Sequence, residues 1–391
     1  MDTALYLTAY STMRRNKTFL QLLSVIVIST ACKEKFDPPA IQNGLSALVV
    51  NGFLNNSSDT TFIYLSRTKK LKDTIRNVQE NGAQLSVEGP GGNIVYSFQQ
   101  LNDSGTYIVP GMNLDITAKY RLRIITSNGK QYLSDEVPVI KTPPIDSITF
   151  AKTDKGLDIH ANTHDPLNNT KYYRWEYTET WQYHVAFFSE LIFENGILSE
   201  RPPSLYVYQC WRTQPSTQLL LGSTERLSED LIYHYTLRQI DQDAIELSMK
   251  YYIFLKQYAV TKEAYEYMES LKKITEQTGT IFDAQPSEVN GNIHAVGNST
   301  EPVLGYLTAS TLETKKRYIT NDEVQPWNYK TSCATVLIPA EDIQTTFNDH
   351  GVVPLYKKGT DFNLVGIYAT TLTCGDCTAL GGITTKPGFW Q

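Results

Sequence analysis

The residues able to do chemistry in this chain are few and widely spread. Four cysteines, Cys210, Cys333, Cys374 and Cys377, follow an earlier one at Cys32. An even set reads as disulfides in an oxidising compartment, and the spacing does not choose among three pairings. One of the three closes Cys374 on Cys377 in a tight turn and leaves Cys210 to pair with Cys333. Cys374-Gly375-Asp376-Cys377 also has the spacing of a redox or zinc motif. A redox pair wants a helix N-terminus to lower its thiol pKa, and a zinc site wants four convergent ligands. Gly375-Asp376, followed by Thr378, Ala379 and Gly381-Gly382, predicts a turn rather than a helix start, so structural disulfides are the expectation. His160 and His164, beside Asp158 and Asp165, are the only close histidine pair. On a strand and loop, that spacing does not stack both rings one turn apart as it would on a helix, so a solvated loop is expected there rather than a metal site. Glu176 and Glu179 make a carboxylate pair on paper, which says nothing about the separation in space that a glycosidase requires. No Gly-x-Ser-x-Gly elbow, His-Glu-x-x-His helix or phosphate-cradling Gly-Lys-Ser/Thr loop occurs, and no catalytic residue, metal or cofactor is expected.

The composition points away from nucleic acid. Charged residues are 19% of the 391, and the net charge is only -6, so the basic footprint that phosphate backbones select is missing. Tyrosine is the unusual number. The 25 Tyr beside 14 Phe and 5 Met suit half-buried β positions, where a ring packs and a hydroxyl stays wet. A chain of this length has room for two domains, each with its own core.

The N-terminus reads as an address. Arg14, Arg15 and Lys17 precede an apolar run from Phe19 to Ala31 that stops at Cys32, the pattern of a cleaved signal peptide. Met13 stands immediately before the positive cluster and offers an alternative start. The run is shorter than the roughly 20 residues a spanning helix needs. Ile28-Ser29-Thr30-Ala31-Cys32 resembles the lipobox of bacterial lipoproteins, with Ser29 where leucine is usual, which predicts lipidation of Cys32. Lys33-Glu34-Lys35-Phe36-Asp37-Pro38-Pro39 has too little apolar surface to fold and reads as a tether. Lys33-Glu34 resembles the start of the export signal on surface lipoproteins of the Bacteroidetes, although Lys35 replaces the second acid.

Elements that would position these residues are mostly strands. From Leu45 to Val139, short β-type runs alternate with turn signals in the rhythm of a small sandwich, immunoglobulin-like or transthyretin-like. Tyr120-Arg121-Leu122-Arg123-Ile124 is the clearest, with Tyr120, Leu122 and Ile124 inward and both arginines on a solvated face. Asn128-Gly129 is expected to close a type I′ hairpin onto Tyr132-Leu133. Lys141-Thr142-Pro143-Pro144 marks a boundary, because two prolines remove backbone donors and force extension. Beyond it come β runs at 145–150, 157–161, 205–211, 219–221, 231–237 and 249–260, and an aromatic strand through Tyr173, Trp175 and Tyr177. One helix interrupts them: Thr261 caps it, Glu263 and Glu266 suit its positive end, and Ala264, Tyr267, Met268, Leu271 and Ile274 form one stripe ending before Gly279. A weaker helix is expected from Ala340 to Phe347. The organisation expected is therefore 1–31 signal peptide, 32–42 lipidated tether, 43–141 β-sandwich, and 142–391 a larger β-rich domain with the inserted helix near 261–278. Gly291 and Gly305 are expected where a strand turns or another backbone approaches.

Several segments, in order, carry a family resemblance. They are Cys32 with Phe36-Asp37-Pro38, Leu48-Val49-Val50-Asn51-Gly52, Gly82-Ala83-Gln84-Leu85-Ser86-Val87, Gly105-Thr106-Tyr107, and Gly129-Lys130-Gln131-Tyr132-Leu133-Ser134. Further on come Tyr172-Tyr173-Arg174-Trp175, Cys210-Trp211, Phe282-Asp283 with Pro286, Gly291-Asn292-Ile293, Leu304-Gly305-Tyr306, and Cys374-Gly375-Asp376-Cys377 to Pro387-Gly388-Phe389-Trp390. Together they resemble a Bacteroidetes lipoprotein family catalogued as domain of unknown function family 4249. The resemblance implies an outer-membrane, lipid-anchored, cell-surface protein that partners a TonB-dependent transporter, capturing a ligand or covering the transporter mouth. It carries no catalytic residues. The function expected is a non-enzymatic binding or accessory component of nutrient uptake. Rival expectations are a cell-surface hydrolase on glycan or peptide, and a structural or adhesive surface protein.

Overall fold

Alternation is strictest in Lys119–Ile125, where Tyr120, Leu122 and Ile124 are buried. That strand is central in one sheet of a two-sheet sandwich. The computed structural model is mainly β and describes residues 47–68, 78–276, 290–298, 300–348, 351–360 and 362–391. Cys32, the expected signal peptide and the tether lie outside the described residues.

The first sandwich sets Leu48–Gly52, Thr61–Arg67 and Thr106–Val109 in one sheet. Gln84–Glu88, Lys119–Ile125, Gln131–Ser134 and Val137–Ile140 belong to the other. Leu48, Ile63, Leu65 and Tyr107 meet Leu122, Ile124 and Tyr132 in its core. The hairpin after Lys119–Ile125 forms, but not with a type I′ turn. The Gly129 amide donates to Thr126 O (2.8 Å) and only Gly129 has positive φ (82°), so the loop is a type I turn followed by a glycine bulge. Arg121 and Arg123 correct the expectation of a solvated face. Both bind Glu88, whose side chain is only 4% exposed; Arg121 Nε stands 2.6 Å from Glu88 Oε2 and Arg123 reaches Oε1. Burial alone would raise the Glu88 pKa, but the bonds from Arg123 and Arg121 outweigh it and hold the carboxyl below its ordinary range.

Residues far downstream complete this sandwich. Ile293–Ala295 pairs antiparallel with Gln131–Ser134, and Val303–Leu304 runs parallel to Leu48–Gly52. Ala309–Ser310 lies between Leu54–Asn55 and Val137–Ile140, parallel to both. Glu301 fastens the return, accepting from Tyr132 Oη (2.7 Å) and Lys130 Nζ (2.8 Å). A backbone does approach at Gly291 and Gly305, and it is each other's: a Cβ on Gly291 would stand 1.8 Å from the Gly305 carbonyl oxygen.

The second sandwich stacks Ile145–Thr153, Gly156–His164 and Leu231–Asp241 against a five-stranded sheet. In that sheet, Tyr172–His184 pairs with Gln209–Pro215, Leu220–Ser223 and Lys250–Ala259, and Leu312–Thr320 lies outermost. Its core mixes Leu157, Ile159 and Leu237 with Tyr173, Trp175, Trp181, Tyr251 and Ile253. Two of its buried polar side chains satisfy each other and the backbone. Trp175 Nε1 donates to Gln257 Oε1 (2.8 Å), and Gln257 Nε2 donates to Pro143 O (2.7 Å). The helix spans Lys262–Glu276, capped by Thr261 Oγ1 accepting from the Ala264 amide (3.2 Å), and it packs Ala264, Tyr267 and Met268 on Tyr172 and Leu221. The weaker helix appears as a 3-10 turn at Ala340–Asp342 running into Ile343–Asn348.

A third, small sheet went unread in the sequence: Val336–Pro339, Asn363–Thr371 and Val352–Thr360 in that order. Against it lies a hairpin of Leu191–Glu194 and Ile197–Glu200. Leu191, Phe193 and Leu198 pack with Ile343, Phe347 and Ile367.

Candidate functional site

The four cysteines form Cys210–Cys377 and Cys333–Cys374. The pairing that closes Cys374 on Cys377 is therefore not the one formed, and neither thiol is left for redox or zinc chemistry. The predicted turn between them is a short helix, Leu372–Gly375, followed by a 3-10 turn, Cys377–Leu380, with Asp376 accepting from the Thr378 amide (2.8 Å). Asp376 can do this because a short carboxylate reaches the amide two residues on.

The histidines part company. His164 Nδ1 pairs with Asp146 (2.8 Å), while His160 is buried and stacks on His234 at 4.9 Å. Burial, and the neighbouring His234, push the His160 pKa down. Asp165 accepts from the amides of Leu167, Asn169 and Thr170 and shapes a loop. Among the described residues no group of three or more His, Cys, Asp or Glu is placed to hold a metal ion. Glu176 and Glu179, three apart on one strand, face opposite sides of the sheet. Glu179 is 2% exposed in the core, where it accepts from Tyr251 Oη (2.6 Å) and Gln214 Nε2 (2.7 Å) and pairs with Arg238 (3.2 Å). Glu176 meets Arg174 and Tyr258 instead.

What the disulfides do is brace a cleft. Tyr183 pairs with Cys210 and His184 with Gln209, so residues 185–208 are one long excursion between neighbouring strands. The excursion is anchored at several points. Phe187 donates its amide to Cys374 O (3.1 Å), the Cys377 amide donates to Val207 O (2.8 Å), and the Glu190 amide donates to Leu355 O (2.8 Å). Between the excursion and Val352–Thr360 lies a cleft of 570 Å³, lined among others by Phe188, Glu190, Glu200, Arg201, Tyr206 and Tyr356. Phe188, Tyr206 and Tyr356 remain 41%, 39% and 41% exposed. Phe188 meets Tyr206 edge-on at 4.9 Å.

Arg201 forms the charged part of the lining. Its Nε donates to Ser189 Oγ (3.2 Å) and Leu191 O (3.2 Å), and its Nη1 to Leu205 O (3.2 Å). Ser189, 2% exposed, reaches Pro354 O (2.6 Å) and so ties Arg201 to the opposite wall. Burial pulls the Arg201 pKa below its usual value, because carbonyl dipoles replace water less well than a counter-ion would. Exposed rings beside a desolvated guanidinium and two carboxylates suit a ligand with apolar faces and a polar rim. Sequence reading missed this cleft. The signal present was Phe187-Phe188 and Tyr206-Val207-Tyr208 in a stretch otherwise rich in Glu, Ser and Pro.

A family model described as Domain of unknown function (DUF4249) matches residues 33–316. The match takes in the 188–206 wall of the cleft but not Tyr356. No curated protein matches this chain. Among solved structures, a chain titled "Biofilm associated protein - BSP domain" is similar over 73% of this chain and 61% of its own length, at 9% identity and a TM-score of 0.15. A score that low carries no argument about fold or function.

Proposed function

The chain belongs to the DUF4249 family, and on that premise we propose that it is a non-enzymatic lipoprotein, anchored through Cys32 at the outer membrane and facing the cell surface. Its role is to capture a ligand for a TonB-dependent transporter that it partners. The observation that carries the binding role is the braced cleft, where three large rings stay exposed and the walls are held by two disulfides before any ligand arrives. A rigid site loses little entropy on binding. The disulfides also support an extracytoplasmic location, because thiols stay reduced in the cytosol. Among the described residues, no helix is long and apolar enough to cross a membrane.

Affinity capture of the lipidated protein tests the partner. Stoichiometric recovery of a β-barrel transporter is expected, and its absence across several growth conditions sinks the reading. Detergent partition tests the anchor: Cys32→Ala moves the protein to the aqueous phase. A second reading, hydrolysis of glycan or peptide, draws on Glu190 and Glu200 lining one cleft. Turnover on a panel of polysaccharides and peptides, abolished by Glu190→Gln or Glu200→Gln, would replace the first reading with this one.

A further inference from the structure

We propose that a second cleft, where the two sandwiches meet, binds a small molecule through a carboxylate or phosphate group, with Lys256 supplying the opposing charge. This cleft is separate from the ring-lined one. It measures 440 Å³ and is lined by Asn51 of the first sandwich, by Arg174, Glu176 and Lys256 of the five-stranded sheet, and by Thr217 and Gln218 of a loop, among others.

Charge is unbalanced there. Glu176 is the one carboxylate in the lining, and both its oxygens are occupied: Oε1 accepts from Arg174 Nη2, and Oε2 accepts from Tyr258 Oη (3.3 Å). Lys256 stands directly across from Glu176 in strand register, yet makes no ion pair or hydrogen bond among the described residues. Arg174 Nε is buried and finds no acceptor, while its guanidinium lies 5.7 Å from the centre of the Tyr258 ring. The side chains of Asn51, Thr217 and Gln218 likewise make no hydrogen bond among the described residues. Two cations and three neutral polar groups thus face one committed carboxylate.

Asn51, Thr217 and Gln218 are exposed and met by water, but Lys256 is half-buried and Arg174 Nε is buried. A buried donor without an acceptor is costly, and an occupant rich in acceptor oxygens removes that cost. Walls of low dielectric strengthen the attraction beyond its value in water. The two sides of the cleft are held together by Phe53, two residues past Asn51, which meets Tyr258 edge-on at 4.5 Å. An occupant would therefore touch both sandwiches, with Asn51 reaching it from one side and Lys256 from the other.

Titration calorimetry of the full chain at low ionic strength tests this, with inorganic phosphate in one series and succinate in another to tell the two sources apart. Saturable one-site binding of at least one probe is expected. Lys256→Met should weaken it by about tenfold and Lys256→Arg by no more than about threefold, since arginine keeps the charge. Glu176→Gln removes the competing carboxylate and should tighten binding several-fold. Lys316→Met, which deletes an equal charge outside the cleft, controls for net charge and should leave binding unchanged. The proposal is overturned if neither probe saturates, or if Lys256→Met and Lys256→Arg both bind as the natural chain does. Neither result bears on the ring-lined cleft or the transporter.

Discussion

The first sandwich is completed by residues 293–310, returning from far along the chain and held by hydrogen bonds and the carboxylate of Glu301, whereas the C-terminal residues are tied to the second by Cys210–Cys377 and to one another by Cys333–Cys374. The difference divides their sensitivities. A closure made of ionised groups answers to pH, and one made of disulfides answers to reductant. The ring-lined cleft lies on the covalent side, where its walls stay in place when protonation changes.

Removing the bridges should have the largest effect. In the chain-entropy account a disulfide stabilises more as the loop it closes lengthens, and the separations are 167 residues for Cys210–Cys377 and 41 for Cys333–Cys374. Cys210→Ser/Cys377→Ser is expected to cost about 4–5 kcal/mol and Cys333→Ser/Cys374→Ser about 3–4 kcal/mol. Guanidinium unfolding followed by tryptophan fluorescence measures both, and a reversed order breaks the comparison.

Next comes the non-covalent closure. Glu301→Ala leaves Lys130 and Arg67 without their shared carboxylate and should cost about 3 kcal/mol. Hydrogen exchange should show Ile293–Ala295 and its partner Gln131–Ser134 losing protection first. Protection lost evenly through the molecule would mean that the return is not a separate closure.

Acid should separate the two sandwiches by pH window. Glu88 and Glu301 have folded-state pKa values lowered from 4.5, because the raising effect of burial is outweighed by bonds from Arg123 and Arg121 at Glu88 and by bonds from Lys130 and Tyr132 at Glu301. Their contribution is present above the unfolded value and is lost as pH falls through the lower folded value. Glu88→Gln should therefore flatten the stability profile of the first sandwich below about pH 4.5.

The smallest effect is at His160, whose folded-state pKa is lowered from 6.5 by burial and by His234. Its neutral form stabilises the second sandwich above that value, and the contribution fades as pH falls through the folded value. His160→Phe should remove a loss of less than about 1 kcal/mol between pH 7 and 5. His164 acts in the opposite sense, because its bond to Asp146 raises its pKa and adds stability as pH falls. Urea midpoints for the His160 variant across that range check the sign. A profile unchanged by the substitution dismisses the assignment.

Local pattern was enough to place Lys119–Ile125 and Gln131–Ser134 of the first sandwich, the aromatic strand from Tyr172 and the helix from Lys262, since burial on one face of a regular element leaves its period in the order of residues. A close backbone approach at Gly291 and at Gly305 was legible too, because a missing side chain is a single-residue signal, but that the two meet each other was not. Leu312–Thr320 escaped notice: most of its residues face water or half-buried surroundings, and Glu313, Lys315, Lys316 and Arg317 hide the alternation. The turn at Gly129 was recognised as a hairpin but mistyped, because glycine tolerates both geometries and strand register decides between them.

Partnership across long distances was decided only by the tertiary structure. Which cysteines join, which carboxylate Arg121 and Arg123 share, and that residues 293–310 return to the first sandwich all depend on groups that are separated along the chain. The ring-lined cleft belongs to the same class, because its walls come from 188–206 and from 356–357 and become a site only once folded together. A sequence records what each residue prefers as its neighbourhood, whereas the identity of the neighbour is fixed by the sum of all such preferences over the whole chain.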